Sequence, residues 1–303
     1  VEYDSDGNPV ISENKVPVLP PLDHSLIDYA PFRRSFYQPV PEVAALTPLE
    51  CAALRKRLDL SAEESEPSRP TGDPHTHGVP DSASALASAA PAGVASDAEV
   101  PCPCWSFDQM GFGHLLRTAI AAEQYTEPTP IQQQSVPVIL SGRDMIGIAQ
   151  TGSGKTAAFI LPMVVHIMDQ PRLRPGEGPI GLICVPTREL ATQIYKEARK
   201  FCRGYKLRCA AVYGGGAKYE QVKKLKEGCD IVIGTPGRLI DMIKAKALKT
   251  TRTTFFVLDE ADRMFHLGFE PQVTSIVGQL RTDRQTVLFS ATFQKKVEKL
   301  ARS

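Results

Sequence analysis

The sequence predicts an α/β fold in which helices flank a parallel β-sheet, preceded by a largely disordered N-terminal extension. From residue 105 onward, short apolar runs alternate with segments of helical periodicity. After the second run, for example, Leu190, Ile194 and Ala198 recur every four residues. Such alternation is typical of parallel sheets covered by helices. The runs that we expect to form strands are residues 145–148, 181–185, 209–212, 231–233, 255–258 and 286–289.

Composition excludes several classes of protein. The chain has 303 residues, a length that suggests about two domains, and 42% of them are hydrophobic. No apolar run approaches the ~18 residues of a membrane span, and the acidic, polar start predicts no secretory signal. The seven cysteines are odd in number and irregularly spaced, so we expect no disulfide framework. Three of them lie in or beside apolar runs and should be buried thiols of a reducing compartment: Cys184, Cys209 and Cys229.

Charge divides the chain into two parts. Residues 1–103 carry 7 basic and 16 acidic side chains, whereas residues 104–303 carry 28 basic and 18 acidic ones. This asymmetry predicts a basic working domain with an acidic extension. A basic domain is compatible with a polyanionic partner, although excess charge also serves solubility.

Residues 1–60 should form an extended arm with one short helix, since residues 1–43 show no sustained period. The stretch 28–37 holds four aromatic side chains, which either anchor the arm on a folded surface or stay solvated: Tyr29, Phe32, Phe36 and Tyr37. A helix should begin after Thr47, because Pro48 and Glu50 complete a capping box there, and should run to about Leu60.

Residues 61–104 should be a disordered linker. Of residues 61–103, 23 are Pro, Ser or Ala, so the segment cannot bury enough apolar surface to offset its chain entropy. His75 and His77, followed by Cys102 and Cys104, suggest a zinc site. Their spacing matches no zinc-finger pattern and the linker offers no scaffold, so we predict no metal there.

The loop after the first predicted strand has the composition of a phosphate-binding loop. Its small residues let backbone N–H groups surround phosphate oxygens, and a helix expected from about Ala157 adds positive potential. Lys155 would reach the outer phosphates, and Thr156 would coordinate Mg²⁺. Ala149 stands where the strict pattern has glycine, and a plain glycine-rich turn is the alternative. The loop residues concerned are Thr151, Gly152, Ser153, Gly154, Lys155 and Thr156.

Two adjacent carboxylates, Asp259 and Glu260, end another hydrophobic strand. Neighbouring carboxylates repel each other, so a cation would stabilise the pair. Asp259 would hold Mg²⁺ opposite Lys155, and Glu260 would orient or deprotonate the attacking water. We expect Lys155 and Asp259 to lie at the tips of two neighbouring strands. Alone, the pair could also be an ordinary helix cap.

These residues, in this order, resemble the DEAD-box family of RNA-dependent ATPases and helicases. The tetrapeptide that names the family stands at Asp259–Asp262. The resemblance covers about residues 105–303 and implies a RecA-like P-loop domain there, which uses ATP and Mg²⁺ and binds RNA. Further motifs match in order: Pro186-Thr187-Arg188-Glu189-Leu190-Ala191, Gly214-Gly215, Thr235-Pro236-Gly237-Arg238 and Ser290-Ala291-Thr292.

The resemblance also assigns an adenine site to residues 125–132, with Phe107 as the upstream aromatic residue. Gln132 would read the adenine edge and exclude guanine, because donors and acceptors exchange places between the two bases. Tyr125 would stack on the base, and Thr129 would brace the loop. In an unrelated fold, Tyr125 and Thr129 would simply be packing residues.

Seven residues match the RNA-backbone contacts of the family. Hydroxyls, amides and guanidinium groups at strand ends suit phosphate and sugar recognition, which is largely blind to sequence. Because Thr187 and Thr235 each precede a predicted helix, we also expect both to cap it. The seven residues are Pro186, Thr187, Arg188, Gly215, Thr235, Pro236 and Arg238.

Ser290 and Thr292 would couple the nucleotide site to closure against a second RecA-like domain, which in the family completes the RNA groove and supplies arginines to the γ-phosphate. We expect this chain to be the N-terminal half of such a helicase, from a longer reading frame, and to hydrolyse ATP slowly alone. The alternative is a non-catalytic RNA- or partner-binding module that competes with the full-length helicase.

The N-terminal arm, with residues 3–9 and Phe36-Tyr37, resembles the extension of a DEAD-box subgroup linked to pre-mRNA splicing. This resemblance implies spliceosomal proteins as partners of the arm. It also implies a nuclear or otherwise cytoplasmic location, with neither secretion nor a membrane partner.

Overall fold

A computed structural model describes residues 18–62, 100–174 and 176–292 in full, together with the backbone of residues 2–3 and 9–10. Within these ranges the chain forms the predicted parallel sheet flanked by helices. No helix of these ranges is long and apolar enough to span a membrane. Most of the predicted linker, residues 63–99 with His75 and His77, lies outside the described residues.

Two sheets are present in the described chain. Strands β1 and β2 form a short antiparallel pair, and the other six form one parallel sheet in the order β3-β8-β7-β4-β6-β5. The six predicted apolar runs are therefore confirmed as strands, each to within one residue. The strands are β1 Glu2–Tyr3, β2 Pro9–Val10, β3 Met145–Ile148, β4 Gly181–Cys184, β5 Cys209–Val212, β6 Ile231–Gly234, β7 Phe255–Leu258 and β8 Gln285–Ser290.

Ten α-helices lie within the described ranges. They are α1 Pro41–Ala44, α2 Pro48–Arg57, α3 His114–Ala122, α4 Pro130–Leu140, α5 Lys155–Met168, α6 Arg188–Cys202, α7 Lys218–Lys226, α8 Pro236–Lys244, α9 Ala261–His266 and α10 Glu270–Val277. The arm holds two α-helices, α1 and α2, where one was predicted. The capping box at Thr47 is present, and α2 ends three residues before the predicted Leu60. The reason is that Asp59 adopts a left-handed backbone conformation (φ 55°), which an α-helix cannot continue through.

Alternate residues of the strands face two separate cores. Ile183, Val257 and Phe289 pack with α3–α6 on one face of the sheet. The preceding residues Leu182, Phe256 and Leu288 pack with α7–α10 on the other face. Because successive side chains of a strand point to opposite faces, strands buried on both sides must be apolar throughout. This explains why the sequence shows continuous apolar runs.

Aromatic residues of the arm anchor it on the domain. Phe32 and Phe36 contact the ring of the buried His166 edge-on, with centroids 5.5 and 5.9 Å away. The guanidinium of Arg281, a buried residue of the domain, lies over Tyr29 and Phe32 at 4.7 and 4.9 Å from their centroids. Of the two alternatives for these rings, the anchored one is confirmed.

The structure differs from the sequence predictions near Cys102. Residues 100–104, assigned to the linker, pack against the arm, because Arg55 donates hydrogen bonds to the carbonyls of Val100 and Pro101. Cys51 and Cys102 form a disulfide, with Cα atoms 5.3 Å apart, where no disulfide was expected. Cysteines 51 positions apart give no spacing signal, and only the docking of α2 brings them together.

The thiols predicted to be buried are free, with Cys184 and Cys229 buried and Cys209 half-buried.

His166 should make folding stability depend on pH. Burial lowers its pKa from 6.5 to about 3, so the folded protein holds a neutral imidazole. Its Nε2 atom shares a 2.8 Å hydrogen bond with the hydroxyl of Thr254. The unfolded chain binds a proton as pH falls through about 6.5, and the folded chain does not. The free energy of unfolding should therefore fall by about 2 kcal/mol between pH 7 and pH 5 from this residue alone.

Urea unfolding at pH 7 and pH 5 checks this. His166→Gln should be less stable at both pH values but should lose about 2 kcal/mol less between them than the wild type does. His114→Gln, at an exposed position, is the matched control and should keep the wild-type difference. Equal pH dependence in the wild type and His166→Gln would contradict the prediction.

Candidate functional site

The loops that follow the six parallel strands all lie at one edge of the sheet, because parallel strands end on the same side. The strand order divides this edge into two halves. Strands β3, β8 and β7 lead into the glycine-rich loop, the Ser290–Thr292 motif and the Asp259–Asp262 motif. Strands β4, β6 and β5 lead into the motifs that begin at Pro186, Thr235 and Gly214. The predicted nucleotide residues and RNA residues are therefore neighbours on one edge. The part that follows β3, β8 and β7 is called the nucleotide half, and the part that follows β4, β6 and β5 is called the RNA half.

The glycine-rich loop turns through two left-handed glycines, Gly152 (φ 82°) and Gly154 (φ 93°). The Ser153 hydroxyl donates to the carbonyl of Gln150 within the loop. Helix α5 begins at Lys155, two residues earlier than predicted. The Lys155 side chain is buried, and its Nζ donates to the carbonyl of Ala149 at 3.0 Å. The ammonium group is thus held inside the curve of the loop.

Gln132 connects the predicted adenine motif to this loop. Its amide nitrogen donates to the carbonyl of Gly154 at 2.9 Å, and its Oε1 accepts from the backbone N–H of Thr129 at 3.0 Å. A Cβ atom at position 154 would lie 2.6 Å from the Gln132 nitrogen and 2.8 Å from the Thr129 hydroxyl. Glycine is therefore required at this position both for its backbone angle and for space.

Tyr125 and Phe107 lie together, as an aromatic pair 6.2 Å apart. The Tyr125 hydroxyl donates to Glu197 of α6 at 2.6 Å, and its ring also contacts Phe201 edge-on. Burial and the bond to Glu197 raise the pKa of Tyr125 to about 12. Glu197 also pairs with Lys200 at 2.9 Å. Sequence reasoning missed Glu197, because a charged residue in a helix gives no local signal of a partner that is 72 positions away in the chain.

Asp259 follows β7, at the other end of the nucleotide half from the glycine-rich loop, which follows β3. Its side chain is buried, and Oδ1 lies 4.0 Å from Nζ of Lys155. The expectation that the two residues end neighbouring strands is wrong, because β8 lies between β3 and β7. Nζ of Lys155 nonetheless lies near the ends of both strands, since it donates to the carbonyl of Ala149 just after β3 and lies 4.0 Å from Asp259 just after β7. Burial raises the pKa of Asp259 to about 6, although the charge of Lys155 opposes the shift.

Glu260 occupies a left-handed backbone conformation (φ 53°) at the start of α9, which is uncommon for a residue with a side chain. Its Oε2 accepts a hydrogen bond from Arg263 at 3.1 Å. Backbone conformations of this kind cluster at functional sites, where the surrounding structure holds them. The sequence contains a signal for this pair, since opposite charges three residues apart on a helix are neighbours.

The Ser290–Thr292 motif is bonded to the acidic motif. The Thr292 hydroxyl donates to Oδ2 of Asp262 at 3.1 Å, and the Ser290 hydroxyl donates to the carbonyl of Thr292 at 2.8 Å. The backbone N–H of Ala149, where the glycine-rich loop begins, donates to the carbonyl of Ser290. Three motifs of the nucleotide half are thus joined by hydrogen bonds. Sequence analysis gave Asp262 no role of its own, and the structure places it at this junction.

The RNA half contains a second connected cluster. The guanidinium of Arg188 lies 4.9 Å from the ring centre of Tyr213 and beside Gly215 (φ 76°). Arg238 donates to Oε1 of Gln221 at 3.0 Å. Gln221 in turn bonds to both the backbone N–H and the carbonyl of Tyr213. Arg188, Arg238 and the loop around Gly215 are therefore connected through Tyr213 and Gln221 into one platform. Sequence reasoning did not identify Tyr213 or Gln221.

The capping roles predicted for two threonines are half correct. The Thr187 hydroxyl accepts from the backbone N–H of Leu190 at 3.2 Å and so caps α6. Thr235 precedes α8 with an extended backbone, but its side chain makes no capping hydrogen bond. The predicted RNA contacts Pro186 and Pro236 are both buried, where β4 leads into α6 and β6 leads into α8.

The nucleotide half fits a triphosphate with Mg²⁺. A buried ammonium, the N–H groups of a glycine loop and the start of α5 suit phosphate oxygens. The Thr156 hydroxyl and the Asp259 carboxylate are oxygen donors of the kind that Mg²⁺ prefers. These donors come from the start of α5 and the end of β7, which lie at the same edge of the sheet.

The raised pKa of Asp259 should make Mg²⁺-dependent nucleotide binding sensitive to pH. Below pH 6 the carboxyl group is protonated, and the proton must leave before Mg²⁺ can bind. The gain in ADP affinity that Mg²⁺ produces should be about tenfold smaller at pH 5 than at pH 7.5. Calorimetric titration of ADP, with and without Mg²⁺, measures this gain.

Two variants complete the test. Asp259→Asn should show little Mg²⁺-dependent gain at either pH, because the amide carries no charge. Asp108→Asn, at an exposed position, should behave as the wild type. A gain that is equal at both pH values in the wild type would refute the role of Asp259.

Comparisons with known proteins agree on the family. The family model described as DEAD/DEAH box helicase matches residues 129–300. The whole chain is 54% identical to "DEAD-box ATP-dependent RNA helicase 24" of Oryza sativa subsp. japonica and covers 35% of that protein. It is also 51% identical to "ATP-dependent RNA helicase DDX42" of Homo sapiens and covers 29% of it. The chain thus spans about a third of the length of these relatives.

Solved structures give the same result. The crystal structure of "the yeast DEAD-box splicing factor Prp28" is similar with a TM-score of 0.64 and 37% identity, over 67% of this chain and 50% of that one. The RNA helicase Prp28 from Chaetomium thermophilum bound to ADP has a TM-score of 0.62 and 41% identity, over 67% of this chain and 49% of that one. The family model matches more than half of the sequence, and the fold and the motifs of both halves of the sheet edge agree with it. The chain therefore belongs to the DEAD/DEAH box helicase family.

Proposed function

We propose that this chain is the ATP-binding and RNA-binding part of an ATP-dependent RNA helicase. The observation that carries the proposal is the single sheet edge at which Lys155 and Asp259 face each other at 4.0 Å, next to the Arg188–Arg238 platform. Family membership supports the reaction class. We further propose the domain division given by the sequence: an arm over residues 1–60, a linker over 61–104 and the RecA-like domain over 105–303, with residues 100–104 packed on the arm.

In the nucleotide half, each side chain has a proposed role in ATP hydrolysis. Lys155 would exchange the carbonyl of Ala149 for phosphate oxygens. Thr156 and Asp259 would hold Mg²⁺, which when bound neutralises charge on the phosphates. Glu260 would orient or deprotonate the attacking water with its Oε1, since Arg263 holds Oε2.

Gln132 would recognise adenine by exchanging hydrogen bonds. Its amide is bonded to Gly154 and Thr129 in the structure, so the base must compete with the bond to the Gly154 carbonyl. Phe107 and Tyr125 form the aromatic wall that we assign to the base, and the bond to Glu197 fixes the orientation of Tyr125. Adenine binding and the shape of the phosphate loop would thus be coupled.

RNA would bind along the other half of the edge through its phosphates and sugars. Thr187, Arg188, Gly215, Thr235 and Arg238 offer hydroxyl, amide and guanidinium donors, which recognise a backbone without reading its sequence. Ser290 and Thr292, bonded to Asp262, would link the nucleotide half to closure against a second domain. ATP and RNA together would then bend and separate a short duplex.

The complete protein would act in RNA processing. The Prp28 structure, to which this chain is similar, is described as that of a splicing factor. We therefore propose a nuclear role in splicing for the whole protein, with spliceosomal proteins as partners of the arm. The chain alone would hydrolyse ATP slowly, because the family resemblance implies that arginines of a second domain complete the site.

RNA-stimulated ATP hydrolysis by this chain, with and without a second helicase domain of the same family added in trans, tests the enzyme. Turnover should rise by about 10³-fold or more when the second domain is present. Lys155→Ala should abolish that rise, whereas Lys249→Ala, at an exposed position, should retain it.

Two results would reject parts of this proposal. RNA or protein binding without rescued turnover, unaffected by Lys155→Ala, would identify a non-catalytic module. Equal stimulation by DNA of the same sequence would remove the assignment of RNA, since only RNA has the 2′-hydroxyl.

The choice of nucleotide provides a separate test of Gln132. Gln132→Ala should reduce the preference for ATP over GTP to near unity, because the donor and acceptor that distinguish the bases are lost. Gln133→Ala is the matched control in the next position, where the side chain donates to the Pro128 carbonyl, and it should keep the preference. Competition of each nucleotide with fluorescent ADP measures both. An unchanged preference in Gln132→Ala would show that the adenine site lies elsewhere.

A further inference from the structure

Helix α7 carries a basic surface with one exposed aromatic ring, directly beside the RNA half of the site. We propose that its first two turns, through Tyr219, Lys218 and Lys223, bind single-stranded RNA that extends beyond the strand-end contacts. Tyr219 would stack on an unpaired base, and the two lysines would contact phosphates. The inference rests on the proposed function and adds three residues that match none of the motifs above.

The position of α7 makes it the continuation of the RNA half. It follows β5, which is the edge strand on the RNA side of the sheet, and begins three residues after Gly215. Gln221, in its first turn, is buried and bonds to Tyr213 and to Arg238. The start of α7 is therefore fixed to the same platform that holds Arg188 and Arg238. RNA leaving these arginines toward the outside of the sheet would meet α7 next.

The exposed face of α7 has the right chemistry for RNA. Tyr219 is 77% exposed, although tyrosine rings are usually at least half-buried. Lys223 lies four residues later on the same face of the helix, and Lys218, the first residue of α7, is exposed. Neither lysine forms a salt bridge with any carboxylate of the described residues. Cations without partners beside an exposed ring are the combination with which proteins bind single strands.

The same surface is a poor match for a protein partner. The residues on the solvent side of α7 around Tyr219 are Lys218, Glu220, Lys223 and Lys224, all exposed and charged. The apolar residues Val222 and Leu225 pack against the domain core, where Leu225 is buried and Val222 is partly buried. A protein interface needs a contiguous apolar centre, which this face lacks. Single-stranded RNA offers phosphates for the lysines and flat bases that stack on the ring of Tyr219.

Binding of a 20-nucleotide oligouridylate to this chain, measured by fluorescence anisotropy at about 50 mM salt, tests the proposal. Tyr219→Ala should weaken the affinity roughly 5- to 100-fold, the effect of losing one stacked base. Tyr219→Phe keeps the ring and should stay within about twofold of the wild type. Lys218→Gln with Lys223→Gln should lower the slope of log affinity against log salt by about 1.4, the value for two phosphate contacts on a single strand. Lys244→Gln with Lys246→Gln, at the far end of α8, should leave the slope unchanged.

The outcomes separate this inference from the proposed function. If Arg188→Ala weakens RNA binding while Tyr219→Ala and the double lysine variant do not, the proposal for α7 is wrong and the RNA half stands. If the wild-type chain binds no RNA at all, both fail together. Because Tyr219 is exposed, its variants should unfold at the same temperature as the wild type, which rules out misfolding as the cause of a loss.

Discussion

The site depends on the parallel alignment of six strands. Because every strand of the sheet runs in the same direction, every loop that follows a strand emerges at one edge. Motifs that are more than 100 residues apart in the chain, such as those of Lys155 and Asp259, therefore meet within 4.0 Å. The order of the strands then sorts the motifs, with the nucleotide residues on β3, β8 and β7 and the RNA residues on β4, β6 and β5. One sheet thus places the residues proposed to bind nucleotide beside those proposed to bind RNA.

Many polar groups of the site are satisfied by the chain itself. Lys155 bonds to the carbonyl of Ala149, Gln132 to that of Gly154, and Thr292 to Asp262. Ligand binding at such a site exchanges one set of hydrogen bonds for another, so the net free energy of each exchange is far smaller than that of the bond itself. The same bonds join the loops to one another. A change in the hydrogen bonds of Gln132 would therefore alter the phosphate loop. Through the bond between Ala149 and Ser290, it would also alter the acidic motif.

The N-terminal arm belongs to the fold rather than to the site. Its aromatic residues cover His166 near the end of α5, and they enclose Arg281 just before β8 begins. Both positions lie where strands start, at the edge opposite the candidate site. The arm supplies the Ala30 carbonyl that accepts from the buried Arg281, whose charge is also paired with Asp283. A buried cation without these partners would cost several kcal/mol, which ties the arm to the stability of the domain.

The sequence by itself determined the six strands of the parallel sheet and the start of α2, and it predicted the chemistry of the loops. Continuous apolar runs mark strands that are buried on both faces, and capping and glycine patterns mark where helices begin, since these depend on residues close together in the chain. It did not give the strand order, so Lys155 and Asp259 were expected on adjacent strands although β8 separates them. It also missed Glu197 beside Tyr125, the platform of Tyr213 and Gln221, and the pairing of Cys51 with Cys102. Each of these joins residues that are remote in the chain, or depends on where a side chain points. Such contacts arise only when the helices pack, and they leave no periodic or spacing signal in the sequence.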